Sequence, residues 1–302
     1  MYPSPRLSLY AGLAVLALVA CQKVPYTGRP QFNLVPDSIM RGIGKSSYQS
    51  VLSQERVQRS GDEVQVLERV GRRISKAANE PDYDWSYTMV DKEEVNAWCM
   101  PGGYITFYTG ILPVLKHEAG MAFVMGHEVG HAVAHHGAER LSQQLALIGG
   151  LAGLELYMAN ATEVKPKERA IILAALGVGA EVGVLLPFSR THESEADVIG
   201  MMYMARAGYP PGESIDLWDR MERASPASMP AFLSTHPSNE NRKQNLREWM
   251  PRAKKKFERN ALDVQAVTRT LWTGGPDGDK PRGKQAASKD EDVGTGSKPA
   301  PR

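Results

Sequence analysis

His127-Glu128-Val129-Gly130-His131, set in the apolar run 119 to 134, decides how this chain is read. On a helix, residues four apart lie above one another, so both imidazoles reach one metal ion and Glu128 stands beside it as a base. A catalytic zinc takes three protein ligands and keeps one position for water, so a third ligand has to come from elsewhere. His135 does not serve: on a continuing helix it rises about 12 Å above His127, against bonds of roughly 2 Å. His117-Glu118 lacks a partner imidazole, because Met121 fills its place. His117, His135 and His136 therefore read as surface or packing residues.

A better third ligand lies in Ser189-Arg190-Thr191-His192-Glu193-Ser194-Glu195-Ala196-Asp197-Val198-Ile199-Gly200. Helical spacing puts Glu193 and Asp197 on one face, so Glu193 can bind the metal while Asp197 holds the far nitrogen of a ligand histidine. Glu195 points away. With both motifs in view, the chain resembles the HExxH/ExxxD zinc metallopeptidases of the CAAX prenyl endopeptidase and HtpX type. Within them it looks most like the bacterial lipid-anchored periplasmic branch that includes LoiP and BepA. That family sets its second motif inside SRxxExxADxxG, and the match here is position by position.

The resemblance implies one Zn2+ per chain, with His127, His131 and Glu193 as ligands and Asp197 behind them. It also implies a mostly helical α+β domain of the gluzincin type, with a small antiparallel sheet beside the active-site helix. Ser234-Thr235-His236-Pro237 with Arg242 resembles the family's STHP element, whose residues face the substrate carbonyl. Asn96-Ala97-Trp98-Cys99-Met100-Pro101-Gly102-Gly103 resembles its NAxxxPGG segment. An exposed sheet edge near Asn96 and Ala97 would take an extended polypeptide as an added strand; the competing reading is that Asn96 only satisfies a turn.

These roles imply peptide hydrolysis. Zinc lowers the pKa of its water towards ~7, and Glu128 takes the proton and passes it to the leaving amine. His236 and Arg242 are the expected donors to the tetrahedral oxyanion, a contribution of roughly 3 kcal/mol where such donors have been removed. The alternatives are that His236 caps a helix and Arg242 pairs with a surface carboxylate. A neutral His236 imidazole also suits the open metal position, which would hold the enzyme latent.

The N-terminus bears on location. Residues 7 to 20 form an apolar run after Arg6, too short to span a bilayer and of signal-peptide length. Leu18-Val19-Ala20-Cys21 reads as a lipobox, so Cys21 is the expected lipidation site and membrane anchor, and Gln22 after it favours the outer membrane. The expected placement is the bacterial envelope, on the periplasmic face of the outer membrane, near its assembly machinery. Removal of residues 1 to 20 leaves 35 basic against 34 acidic side chains, which gives no electrostatic case for nucleic acid. Once Cys21 is modified only Cys99 remains, so no internal disulfide is expected.

The remaining organisation follows from periodicity. A lipidated tether over 21–36 precedes a metallopeptidase domain over 37–260, an extension over 261–272 and a disordered tail over 273–302. Helices are expected over 37–57, from a capping box at Ser60 and Glu63, and over 116–139, 190–206, after Gly212 and over 238–259. Leu67, Val70, Ile74 and Ala77 mark one buried helix face. Trp85, Tyr87 and Met89 alternate as a strand, and Tyr104 to Tyr108 form another after a Pro101-Gly102-Gly103 turn. Residues 145–157 and 171–186 read as a helical hairpin over the cleft or as a membrane-facing or partner-facing surface. The favoured activity is endoproteolysis of unfolded or misassembled envelope proteins. The rivals are a chaperone-like assembly factor with minor proteolysis, and a closed structural zinc protein with His236 as permanent fourth ligand.

Overall fold

Helix α2 (Asp62–Ala78) shows the logic of the core, because Leu67, Val70 and Ile74 recur at helical spacing and all three are fully buried. The computed structural model describes residues 21–148, 189–223, 232, 235, 236 and 240–272. The expected signal peptide, nearly all of the two apolar segments and the tail over 273–302 lie outside the described residues. In chain order the other elements are β1 (Cys21–Lys23), β2 (Pro30–Phe32), α1 (Asp37–Leu52) and β3 (Val57–Gln58) before α2. After α2 come β4 (Ser86–Val90), β5 (Ala97–Met100), β6 (Tyr104–Tyr108), α3 (Leu112–Leu115), α4 (Glu118–Val133) and α5 (His136–Ile148). The last four are α6 (Arg190–Arg206), α7 (Glu213–Arg223), α8 (Glu240–Phe257) and α9 (Val264–Thr268). Among the described residues no helix is long and apolar enough to cross a membrane.

The sheet runs β3-β4-β6-β5, and it is mixed where an antiparallel one was expected. The β5–β6 hairpin is antiparallel and turns at Pro101-Gly102-Gly103. Strand β6 then enters between β5 and β4, so it runs parallel to β4. Gly103 holds φ +90°, and a Cβ there would lie 2.9 Å from the Trp85 ring, so the turn requires glycine twice over. Alternation along β5 divides the packing. Ala97 and Cys99 join the main core of α2 and α4, whereas Trp98 and Met100 join a smaller one with Met40, Ala138 and Leu141.

Helix α4 carries the HExxH motif and α6 the ExxxD motif, and they cross where neither has a side chain. A Cβ on Gly200 would lie 2.6 Å from the His127 backbone nitrogen, and one on Gly126 would lie 2.8 Å from the Gly200 carbonyl oxygen. This close approach of two backbones carries Glu193 to the level of the two imidazoles.

Four local expectations need correction. Helix α2 starts behind Gly61, at φ +126° and with no side-chain cap, because Glu63 bonds Gln58 instead of closing a capping box. Helix α1 stops at Leu52. The helix expected over 116–139 breaks at His135, which takes φ +52° and sends the chain back as α5. The tether is folded: β1 and β2 pair as a hairpin whose loop buries Val24 and whose Gln31 is likewise buried. The C-terminal extension closes the opposite side, where the Leu271 and Trp272 amides donate to the Lys116 carbonyl just before α4.

Candidate metal centre

His127 and His131 project from one face of α4, and Glu193 meets them from the first turn of α6. His127 Nε2 and His131 Nε2 are 3.1 Å apart, with Glu193 Oε2 3.6 Å from the first and Oε1 3.3 Å from the second. His236 completes the group, its Nδ1 3.3 Å from His127 Nε2 and 3.2 Å from Glu193 Oε1. Four ligands at zinc–nitrogen bonds of about 2.05 Å would form a tetrahedron with edges of about 3.3 Å. The four separations among the imidazole nitrogens and Glu193 Oε1, 3.1 to 3.3 Å, fit that figure, and among the described residues these four side chains form the group able to hold a metal ion.

Donor chemistry agrees with the spacing. His127 Nδ1 is 3.0 Å from Asp197 Oδ1; an ionised carboxylate only accepts, so Nδ1 carries the proton and Nε2 presents its lone pair to the cluster. Lone pairs and carboxylate oxygens converging in a buried space suit a cation. Glu128 is 3% exposed, and its Oε1 has no hydrogen-bond partner among the described residues; His236 Nε2 stands 3.5 Å away. Burial raises the Glu128 pKa, while His236 and His127 pull against that rise. Burial would also raise Glu193, but Arg242 and His236 outweigh it and hold this carboxyl well below the usual range.

Arg242 does not take its expected place. Its Nε and Nη2 donate to Asp197 at 2.6 and 2.8 Å and its Nη1 reaches Glu193 Oε2 at 2.7 Å. The guanidinium stacks 4.0 Å over Trp218 and is 1% exposed, so it braces the carboxylates from behind instead of facing a substrate. Asp197 lies where the spacing put it. Ala97 begins β5, the terminal strand of the sheet, and is buried; Asn96 just before it donates to Glu94 Oε1 at 2.9 Å, and its carbonyl accepts from the Tyr108 amide. Cys21 lies in β1, paired with Phe32.

Sequence reasoning missed a second polar layer. Glu195 does not point away: it is 5% exposed and accepts from Arg29 Nε at 2.8 Å and from His136 Nε2 at 3.1 Å. His136 is fully buried, and burial pushes its pKa down to about 4, so it is a neutral imidazole. Glu139 binds Arg29 through both oxygens and His192 Nε2 at 3.0 Å. A clue was present in the sequence, since two further histidines and two further glutamates flank the motifs.

Residues 62–250 match the model of peptidase family M48. The chain is 32% identical to the mitochondrial metalloendopeptidase OMA1 of Schizosaccharomyces pombe, over 83% of this chain and 73% of that protein. It is 30% identical to the Saccharomyces cerevisiae protein of the same name, over 83% and 75%. The beta-barrel assembly-enhancing protease of Escherichia coli matches at 26% over 61% of this chain and 38% of its own length. The bacterial outer-membrane placement expected from the N-terminus is thereby contradicted, because the relatives that match over most of the chain are mitochondrial. Both kinds of relative carry protease names, and family, motifs and geometry agree: the chain belongs to peptidase family M48 and is a zinc metalloendopeptidase.

Proposed function

We propose that this chain cleaves internal peptide bonds of unfolded or misassembled polypeptides at the centre formed by His127, His131 and Glu193, with Glu128 as general base. The observation that carries this reading is the buried Glu128 carboxyl, whose Oε1 has no hydrogen-bond partner among the described residues, beside a donor set able to hold a metal ion. Zinc, when bound, supplies a Lewis acid that polarises the scissile carbonyl and acidifies water. Glu128 accepts the proton of the attacking water and returns it to the leaving amine, a task that its raised pKa suits. Asp197 and Arg242 keep His127 and Glu193 in place.

The substrate class follows from the sheet. Among the described residues strand β5 has one neighbour in the sheet, β6, which leaves its other edge unpaired. An extended polypeptide adding to that edge is read through its backbone, which favours chains that have lost or not yet gained their fold.

His236 supports a second statement. Its Nδ1 lies 3.3 Å from His127 Nε2 and 3.2 Å from Glu193 Oε1, where it would compete with water for a bound metal, which supports a latent resting state. In this reading opening requires His236, whose amide donates to the Phe232 carbonyl at 2.8 Å, to withdraw. Low basal proteolysis of this kind is compatible with an assembly-factor role such as the name of the Escherichia coli relative describes.

The test is cleavage of casein by the zinc-loaded chain. Glu128→Gln is expected to keep metal and fold and to abolish turnover; survival of turnover refutes the assignment of the base. His236→Ala is expected to raise casein cleavage, and a fall would refute latency.

A further inference from the structure

The two imidazoles of the HExxH motif are supported differently. His127 meets a carboxylate directly, through Asp197. His131 does not: its Nδ1 lies 2.9 Å from Nδ1 of His136, and two imidazole nitrogens at that distance need one proton between them. If His136 donated, His131 would carry its own proton on Nε2 and could not bind a metal. Glu195 decides the direction. Its carboxylate accepts from His136 Nε2 at 3.1 Å, so Nε2 carries a proton and Nδ1, facing His131, is free to act as acceptor. His131 then donates from Nδ1 and presents a lone pair at Nε2.

Glu195 is fixed in turn by the N-terminal hairpin. Arg29 donates to it from Nε at 2.8 Å and from Nη2 at 3.0 Å, and Thr27 Oγ1 donates at 3.3 Å. Arg29 also grips Glu139 through two bonds of 2.9 and 2.8 Å. The hairpin lies outside residues 62–250, the part matched by the family model, so this support is supplied by the chain's own N-terminal segment.

We propose that Glu195 and His136 are positioning residues that set the metal-binding tautomer of His131, and that docking of the hairpin through Arg29 holds this relay in register. The proposal rests on the metal centre assigned above. It makes metal retention depend on a segment more than a hundred residues before His131 and outside the motif.

The test uses the full chain. Cobalt(II) and zinc affinities are measured by competition with a chromophoric chelator for the parent, Glu195→Gln and Arg29→Ala, with circular dichroism of the metal-free forms as a check on folding. Outer partners of ligand histidines typically change metal affinity 10–100-fold. Glu195→Gln is expected to fall in that range, because its amide can donate to His136 Nε2 and reverse the relay; Arg29→Ala is expected to lose less. Parent-like affinity in a natively folded Glu195→Gln chain overturns the proposal. A readout independent of any variant is two-bond 15N–1H correlation on the zinc-loaded, 15N-histidine-labelled parent. It should show His136 protonated at Nε2 and His131 protonated at Nδ1; the opposite tautomer of His136 overturns the proposal. A parent chain that binds no metal overturns the centre itself, an outcome distinct from a parent that binds and variants that are unaffected.

Discussion

Gly200→Ala tests whether the crossing of α4 and α6 positions the metal ligands. The new Cβ would lie 2.6 Å from the His127 nitrogen, 2.9 Å from the Gly126 carbonyl carbon and 3.0 Å from the His127 Cα. Ordinary contacts begin near 3.4 Å, so the overlap is several tenths of an ångström, and every atom it meets is helix backbone with no rotamer to change. The helices must part, and Glu193 moves away from His127 and His131. Overpacking of this kind costs about 1–3 kcal/mol, offset by up to about 1 kcal/mol of helix propensity gained by alanine. Taking a net loss of about 1–2 kcal/mol, at about 2–4 °C per kcal/mol for a domain of this size, a fall in Tm of roughly 2–8 °C is expected. Metal sites accept about ±0.2 Å in ligand distance, so affinity should suffer more than stability. The control is Gly42→Ala in α1, where a Cβ meets nothing within 4 Å and a neutral or slightly raised Tm is expected. Thermal unfolding and chelator competition on both variants decide the matter. Gly200→Ala with parental Tm and parental metal affinity would show that the crossing does not set the site.

Other perturbations follow from the same contacts. Arg242→Leu leaves Asp197 and Glu193 buried without their guanidinium and should cost about 3–5 kcal/mol in the metal-free chain, measured by urea unfolding; a loss under 1 kcal/mol would refute the bracing role. Saturating zinc should restore part of that loss, and chelation of the parent should lower its Tm, since a ligand at 100 times its Kd contributes about 2.7 kcal/mol. His117 and Glu213, 3.4 Å apart at the start of α4, give a pH test. Burial lowers His117 from 6.5 to about 4 and raises Glu213 from 4.5 to about 7. Folded His117 stays neutral where the unfolded chain protonates it, so its contribution grows as pH rises from 4 to 6.5. Folded Glu213 keeps a proton that the unfolded chain releases, so its contribution shrinks from pH 4.5 to 7. Over the shared window the two oppose each other, so the pair's joint contribution changes little with pH. Glu213→Gln removes one side, so its stability relative to the parent should climb by up to about 3 kcal/mol between pH 4.5 and 7; an unchanged difference across that range would refute the reading of Glu213.

Much of the fold was legible because it obeys local rules. The α6 bounds and the helix after Gly212 came out as expected, and the Pro101-Gly102-Gly103 turn announced its own hairpin. The convergence of His127, His131 and Glu193 was legible for a different reason: two motifs of fixed helical spacing leave few ways to meet one ion. What stayed hidden has no local signal. The break at His135 uses neither glycine nor proline; a histidine holds φ +52° beside Asp37. The parallel pairing of β4 with β6 depends on which strand fills a gap, a matter of tertiary packing.

Arg29 and Arg242 were hidden for an electrostatic reason. In sequence each is one basic residue among 36, and nothing nearby says that it is buried. The need for them arises only once the fold has buried acids. Around the centre, Glu128, Glu193 and Asp197 are each at most 3% exposed, and Arg242 is the guanidinium that faces two of them. Three buried carboxylates against the one guanidinium that contacts them leave an excess of negative charge at the centre. Isolated buried charge is too costly to persist without a partner. A divalent cation is the partner of matching charge, and the Arg29 layer does the same for Glu139 and Glu195 one shell further out. The basic residues that a motif search passes over are therefore the ones that let the motif's acids remain ionised inside the protein.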